Sequence, residues 1–154
     1  MLVYRLCSSA YARDLSGAGA GLYGGRWNPA GVRLLYTAGS ISLACLEYLA
    51  HNFHVLAAQR ICLVKIRIHD SSIAALSVND LPAGWNEKTF TPAAAQNTGA
   101  AFVRNARHYV RKVPSAIVPD EFNYLLNPQH PLHAHTVIET ITDPFVLDSR
   151  LLGG

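Results

Sequence analysis

Cysteine is scarce in this 154-residue chain, and the three present, Cys7, Cys45 and Cys62, are too scattered for a disulfide framework or a zinc site. Cys45 and Cys62 lie in apolar segments, which favours small buried thiols over a catalytic one. Charge is scarce as well: only 15% of residues are charged, with a formal net charge of +3. The densest basic stretch, Arg104, Arg107, Arg111 and Lys112, is too light for a nucleic-acid-binding face. It reads instead as a solvated helix face open to phosphates or an acidic partner. No apolar run reaches the length that spans a bilayer. Met1 to Arg5 lacks the basic-then-apolar order of a secretory signal. A cytoplasmic protein without a membrane anchor is therefore expected. Repeats, linkers and low-complexity tracts are lacking too. What is abundant is hydrophobicity, at 50% of residues, so a folded globule is expected, with residues 1–154 as one domain.

Along the chain, Leu15 to Gly25 is rich in Gly and Ala and reads as a long loop, followed by a strand from Val32 to Thr37. Ser40 is a good N-cap for a helix from Ile41 to His51 that is apolar almost all round, as a central buried helix would be. Ile61 to Ile68 alternates as a strand, with Cys62, Val64, Ile66 and Ile68 on one face. Leu81 to Trp85 is a turn. Thr91-Pro92 suggests a cap and first helical position for a helix from about Ala93 to Arg111. Gly99 weakens that helix without forbidding it. Val113 to Val118 reads as a strand between two prolines, Asn123 to Pro128 as a structured loop, and Thr136 to Ile141 and Phe145 to Leu147 as final strands. Strands and helices mix without regular βαβ alternation, which predicts an α+β fold.

Two motifs promise more than their context supports. Gly19-Ala20-Gly21-Leu22-Tyr23-Gly24 matches G-x-G-x-x-G, but no strand leads into it and no helix opens on it as a dinucleotide fingerprint requires. His130, His133 and His135 lack zinc spacing and a fourth ligand nearby, so a surface loop is the reading. His51 and His54 stand where cations suit the end of a helix dipole.

Three positions resist a purely structural explanation. Glu47 places a carboxylate in the middle of an apolar helix, where it must be paired in the core or face a cleft. Arg26 follows a Gly-Gly hinge, a setting for a phosphate-binding guanidinium as well as for an ordinary surface arginine. Ser115, with Asn123 and Asn127 beyond it, offers neutral hydrogen-bonding groups that also suit turn and cap chemistry.

Their order along the chain resembles the RES family. The resemblance starts at Tyr4-Arg5 and Leu15-Ser16-Gly17. It continues through Gly24 to Asn28 with Gly31, Leu35-Tyr36-Thr37, Ser42-Leu43-Ala44 with Glu47, and Leu81-Pro82 with Trp85. It ends with Val113-Pro114-Ser115, Asn123 to Pro128, and Asp148 to Leu151. The resemblance implies a fold similar to the ADP-ribosyltransferase toxins. It also implies a toxin that degrades NAD or transfers ADP-ribose to a protein, with a small helix-turn-helix (Xre-type) antitoxin as partner. A homodimer is a further family-level expectation. It places the functional residues at Arg26, Tyr36, Glu47, Ser115 and Asn123. NAD enters as substrate, and neither a metal nor a prosthetic group is implied.

Cleavage of the nicotinamide–ribose bond builds an oxocarbenium-like ribose and releases a neutral leaving group, so one fixed carboxylate suffices and no general acid is required. In this scheme Arg26 binds the pyrophosphate and Tyr36 stacks on nicotinamide or ribose, its hydroxyl helping to orient it. Glu47 stabilises the cation or orients the attacking water or phosphate, so hydrolysis and phosphorolysis both stand, and Ser115 and Asn123 hold ribose or amide. The rivals are ADP-ribose transfer to a protein and a non-catalytic nucleotide-binding module.

Overall fold

A computed structural model describes residues 1–52, 60–87 and 93–152. Its framework is a seven-stranded mixed sheet: β1 (Leu2–Ser8), β2 (Leu35–Ala38), β3 (Ile61–Arg67), β4 (Ile73–Ala75), β5 (Val110–Pro114), β6 (Phe122–Leu126) and β7 (Val137–Thr142). The spatial order is β4-β5-β6-β2-β1-β3-β7. The β4–β5 pair is parallel and every other pairing is antiparallel. Mixed strands beside a few helices make the fold α+β, as the lack of alternation predicts.

Side chains alternate between faces along each strand, so the register pairs sort the two faces. Tyr36 and Ala38 of β2 lie opposite Leu125 and Asn123 of β6, which in turn lie opposite Arg111 and Val113 of β5. These six residues share one face. Two helices cover it, α2 (Ile41–Asn52) and α3 (Ala93–Asn105). Leu43, Ala44 and Tyr48 of α2 pack with Leu6, Ala38 and Leu63, while Phe102 and Val103 of α3 join Trp27, Trp85, Val113 and Leu125. The other face buries Val3, Cys7, Cys62, Val64, Ile66, Val110 and Leu126 beneath Tyr109 and Ala12. β1 and β2 meet at a single register pair, Tyr4 with Ala38, so the sheet is nearly divided there. β2 therefore runs along the seam between the two helical packs.

Several elements differ from the sequence expectation, each for a tertiary reason. The Gly/Ala-rich stretch is not all loop: Ala18–Tyr23 form a short helix, α1, between Gly17 and Gly24, both at positive φ. α2 runs almost as expected, and Ser40 Oγ accepts the Leu43 N–H at 3.1 Å as its cap. It is not buried all round, however; Ile41 and Leu46 are exposed, because α2 lies on the sheet as an outer layer. α3 stops at Asn105, well short of Arg111, where Ala106 adopts φ 44° and turns the chain into β5.

The basic stretch is consequently not one helix face. Arg104 sits on α3 and Arg107 in the turn, while Arg111 and Lys112 point to opposite faces of β5. Lys112 Nζ lies 3.8 Å above the Phe122 ring. β5 ends at Pro114, leaving Ser115 to Val118 in a turn rather than in a strand. Asn123 to Leu126 belong to strand β6, since pairing on both sides supplies the ladder that local sequence did not reveal. Phe145 to Leu147 are not a strand, although the Phe145 N–H still bonds to the Ile61 carbonyl at 2.8 Å. Thr91, Pro92 and His54 lie outside the described residues.

Among the described residues no helix is long and apolar enough to cross a membrane. None of their His, Cys, Asp and Glu side chains group as a metal site. The three histidines near the C-terminus fall on or beside a 3-10 turn (Pro131–His135), and His133 Nδ1 meets the Tyr109 hydroxyl at 3.0 Å. Cys7 and Cys62, distant in sequence, face each other across β1 and β3 with their Sγ atoms 3.6 Å apart as free thiols.

Candidate active site

Glu47 lies one turn beyond the buried Leu43–Ala44 pair of α2, the pair that packs with Leu6 of β1 and Ala38 of β2. Its side chain is 22% exposed, so it is neither lost in the core nor a free surface group. Ser115 Oγ donates to Glu47 Oε1 at 2.8 Å, and Asn123 Nδ2 donates to the same oxygen. A carboxylate oxygen offers two lone pairs, and both of those on Oε1 are thereby used. Oε2 is left to face outward, where His51 Nε2, one helical turn on, stands 3.8 Å away.

Ser115 is completely buried. Its hydroxyl accepts the N–H groups of Ile117 and Val118, each at 3.1 Å, while donating to Glu47. That saturates a hydroxyl, so Ser115 orients Glu47 and has nothing to offer a ligand directly. This geometry explains why β5 must end at Pro114: the turn over Ser115 to Val118 folds the hydroxyl inward onto α2. Asn123 is the second residue of β6, opposite Ala38 and Val113, and keeps its side-chain carbonyl and a second N–H for other partners.

Tyr36 lies two residues before Ala38 on the same face, about 7 Å along the strand from the Asn123 row. Its hydroxyl donates to Asn28 Oδ1 at 2.6 Å and accepts the Trp27 N–H at 3.1 Å. Burial pushes this phenol far above its usual range, with the Trp27 N–H and the nearby Arg26 charge pulling weakly the other way. The hydroxyl expected to orient a ligand is thus fully engaged in holding the loop at 25–28. Only the ring remains for stacking.

That loop carries Arg26. Its Nη1 donates to the Trp85 carbonyl, and Nη2 approaches the Glu87 carbonyl at 3.5 Å. The guanidinium is tied to the turn at 85–87 through part of its five-donor fork and keeps the remainder free. Trp27 packs against Trp85 with ring centroids 6.1 Å apart.

Two residues not assigned a role from sequence anchor the loop from below. Asn28 is fully buried and its Nδ2 donates to the carbonyls of Ala20 and Val32, both at 2.7 Å. Gln96 of α3 donates to the Gly25 carbonyl at 2.9 Å. Gly99, one turn further, lies so close that a Cβ there would come within 1.6 Å of the Trp27 carbonyl oxygen. The helix-weakening glycine is therefore a packing requirement. Asn28 stands directly before Pro29, a turn signal, but nothing local shows that its amide closes three chain segments together. His51 was legible as a partner for Glu47 through its i, i+4 spacing, although the helix-end dipole offered a sufficient account of it.

The structure thus gathers Glu47, Ser115 and Asn123 into one hydrogen-bonded group. It gathers Arg26 and Tyr36 into a second, through the loop at 25–28. Both groups border the β2–β6 face. Asn127 belongs to neither; it is buried and bonds to the Val103 carbonyl at 3.1 Å. Two cavities of about 400 and 310 Å³ lie elsewhere, around Arg33, and none of the five site residues lines them.

A single α+β domain with one pinned carboxylate at a sheet seam is the class that fold and site define. The chain matches the RES domain over residues 2–148 and belongs to that family. It is 41% identical over 143 residues to a protein of Sphingobium sp. named Prs ADP-ribosylating toxin, covering 86% of each chain. It is 36% identical over 152 residues to a protein of Yersinia enterocolitica named Toxin Res, covering 98% of this chain and 99% of that one. A Toxin Res of Photorhabdus laumondii is 37% identical over 154 residues, covering 99% and 97%. In structure the chain is similar to one in the M. tuberculosis MbcT-MbcA toxin-antitoxin complex, with a TM-score of 0.79 at 19% identity, covering 99% of this chain and 86% of that one.

Proposed function

We propose that this protein is the toxin of a toxin–antitoxin pair and that it cleaves the nicotinamide–ribose bond of NAD. The observation that carries the reading is the half-buried Glu47, held at one oxygen by Ser115 and Asn123 and open at the other. A carboxylate fixed in that way is set to face a cation, because its position and orientation are established before charge develops. The developing oxocarbenium supplies that cation, and nicotinamide leaves neutral without an acid. Tyr36 offers its ring face for stacking on nicotinamide or ribose. The free part of the Arg26 fork suits the pyrophosphate. Asn123, through its unused carbonyl and N–H, holds the ribose or the amide. Ser115 serves by fixing Glu47.

The relatives named as toxins, and the neighbour solved as a toxin–antitoxin complex, support a neutralising partner, and a small helix-turn-helix (Xre-type) antitoxin is the partner we propose. A second reading, ADP-ribose transfer to a protein, is favoured by the name of the Sphingobium relative. One experiment addresses both. Induction of the wild type should lower cellular NAD, and induction of Glu47→Gln should not. Labelled NAD then separates the acceptors, since transfer leaves label on a protein band and hydrolysis leaves none. Unchanged NAD and unlabelled protein with soluble wild type would refute both readings.

A further inference from the structure

Glu47 Oε1 is saturated, so whatever meets this carboxylate meets Oε2, and the group beside Oε2 is the His51 imidazole. Nε2 is 3.8 Å from Oε2, too far for a hydrogen bond. The separation instead suits one small atom lying between them. An oxygen about 2.8 Å from each subtends about 85° at that atom, close to the roughly 105° between the two O–H bonds of water. Both flanking atoms are acceptors when the imidazole is neutral at Nε2 and the carboxylate is ionised. His51 is 71% exposed, so the position is reached directly from solvent.

We infer that Glu47 Oε2 and His51 Nε2 together hold the water that replaces nicotinamide, with His51 as the base that takes its proton. This rests on the NAD-cleaving reading above and names its acceptor. The water donates one hydrogen to each side chain, which leaves a lone pair for the ribose C1. The C1–N bond breaks with its electron pair going to nicotinamide, and the water oxygen forms the new bond to C1. One of its protons passes to Nε2. The imidazolium so formed lies beside the Glu47 carboxylate, which stabilises it.

A two-acceptor holder also discriminates. A serine hydroxyl brings one hydrogen and cannot satisfy both sides. Phosphate is negatively charged, and the Glu47 carboxylate repels it. Cys45 and Tyr48 on the same helix are both pushed up by burial and so uncharged at neutral pH. Glu121 meets the far end of the helix through Ser40.

The test uses the purified full chain with NAD, following nicotinamide and ADP-ribose from pH 5 to 9 for wild type, Glu47→Gln, His51→Gln and His51→Ala. The wild type should release the two products one for one, without needing phosphate. His51→Gln should lose about a hundredfold or more in kcat with little change in KM, as for loss of a general base. Added imidazole should restore part of the activity of His51→Ala, since the site is open. Melting temperatures of the His51 variants should match wild type, given the exposure. A wild type that turns over while His51→Gln keeps its rate overturns the role of His51 and leaves NAD cleavage standing. Label on protein, or a strict need for phosphate, overturns water as the acceptor. A wild type releasing no nicotinamide overturns the NAD reading and this inference with it.

Discussion

Adding a methyl group at Gly99 tests how α3 supports the site. In an ordinary helix interior, Gly→Ala stabilises by about 1 kcal/mol. At Gly99 the new Cβ would stand 1.6 Å from the Trp27 carbonyl oxygen and 2.8 Å from its carbon. Both are backbone atoms, so no side-chain rotation relieves the clash; α3 must move away by roughly 1.5 Å or more to restore contact distances. Overpacking of this kind costs about 1–3 kcal/mol. The same shift strains the Gln96–Gly25 hydrogen bond, which contributes about 1 kcal/mol. Subtracting the gain in propensity leaves a net loss of about 1–3 kcal/mol, a fall in melting temperature of about 2–12 °C for a chain of this size. Gly19 is the control: it is helical too, in α1, and a Cβ there meets nothing within 4 Å. Gly19→Ala should therefore leave stability unchanged or raise it. Melting curves of the two variants, with NAD turnover at a temperature where both are folded, make the comparison. Gly99→Ala should also lose activity, because Arg26 rides on the displaced loop. Equal melting temperatures for Gly99→Ala and wild type would refute the account of how the loop is held.

Other perturbations separate support from chemistry. Ser115→Ala should destabilise by about 1–3 kcal/mol, since the Ile117 and Val118 N–H groups lose their buried acceptor. It should also lower kcat through a loosened Glu47; urea unfolding with turnover reports both. Glu47→Gln should lose about a hundred- to a thousandfold in rate while melting near wild type, the usual range for a preorganised electrostatic group. Asn28→Ala should melt several degrees lower and bind NAD more weakly, because two carbonyls and the Tyr36 hydroxyl lose their common partner; calorimetry checks both. Burial holds the His133 imidazole below its ordinary value near 6.5. The unfolded chain therefore binds more protons as pH falls through that value, so His133 contributes stability above it that is progressively lost below. Urea midpoints measured at pH 7.5 and 5.5 should fall more for wild type than for His133→Gln.

Local signals in the sequence determined a good deal. Ser40 before an apolar run placed the start of α2, because an N-cap acts through groups only two or three residues away. Alternation over Ile61 to Ile68 marked a strand for the same reason: its period is a property of the segment. The ordered series of small motifs from Tyr4 to Leu151 was enough for the family and for the five residues to examine. Tertiary contacts decided the rest. β6 reads locally as a loop, and became a strand only because β2 and β5 pair with it on both sides. Ser115 and Tyr36 carry hydroxyls that suit a ligand in one dimension, yet in three dimensions each is saturated by protein, one supporting Glu47 and the other the Arg26 loop. Glu47 and Ser115 are 68 residues apart, and Gly99 is 72 from Trp27. A hydrogen bond or a clash at such separation depends on how the helices lie on the sheet, and no window of the chain contains both partners.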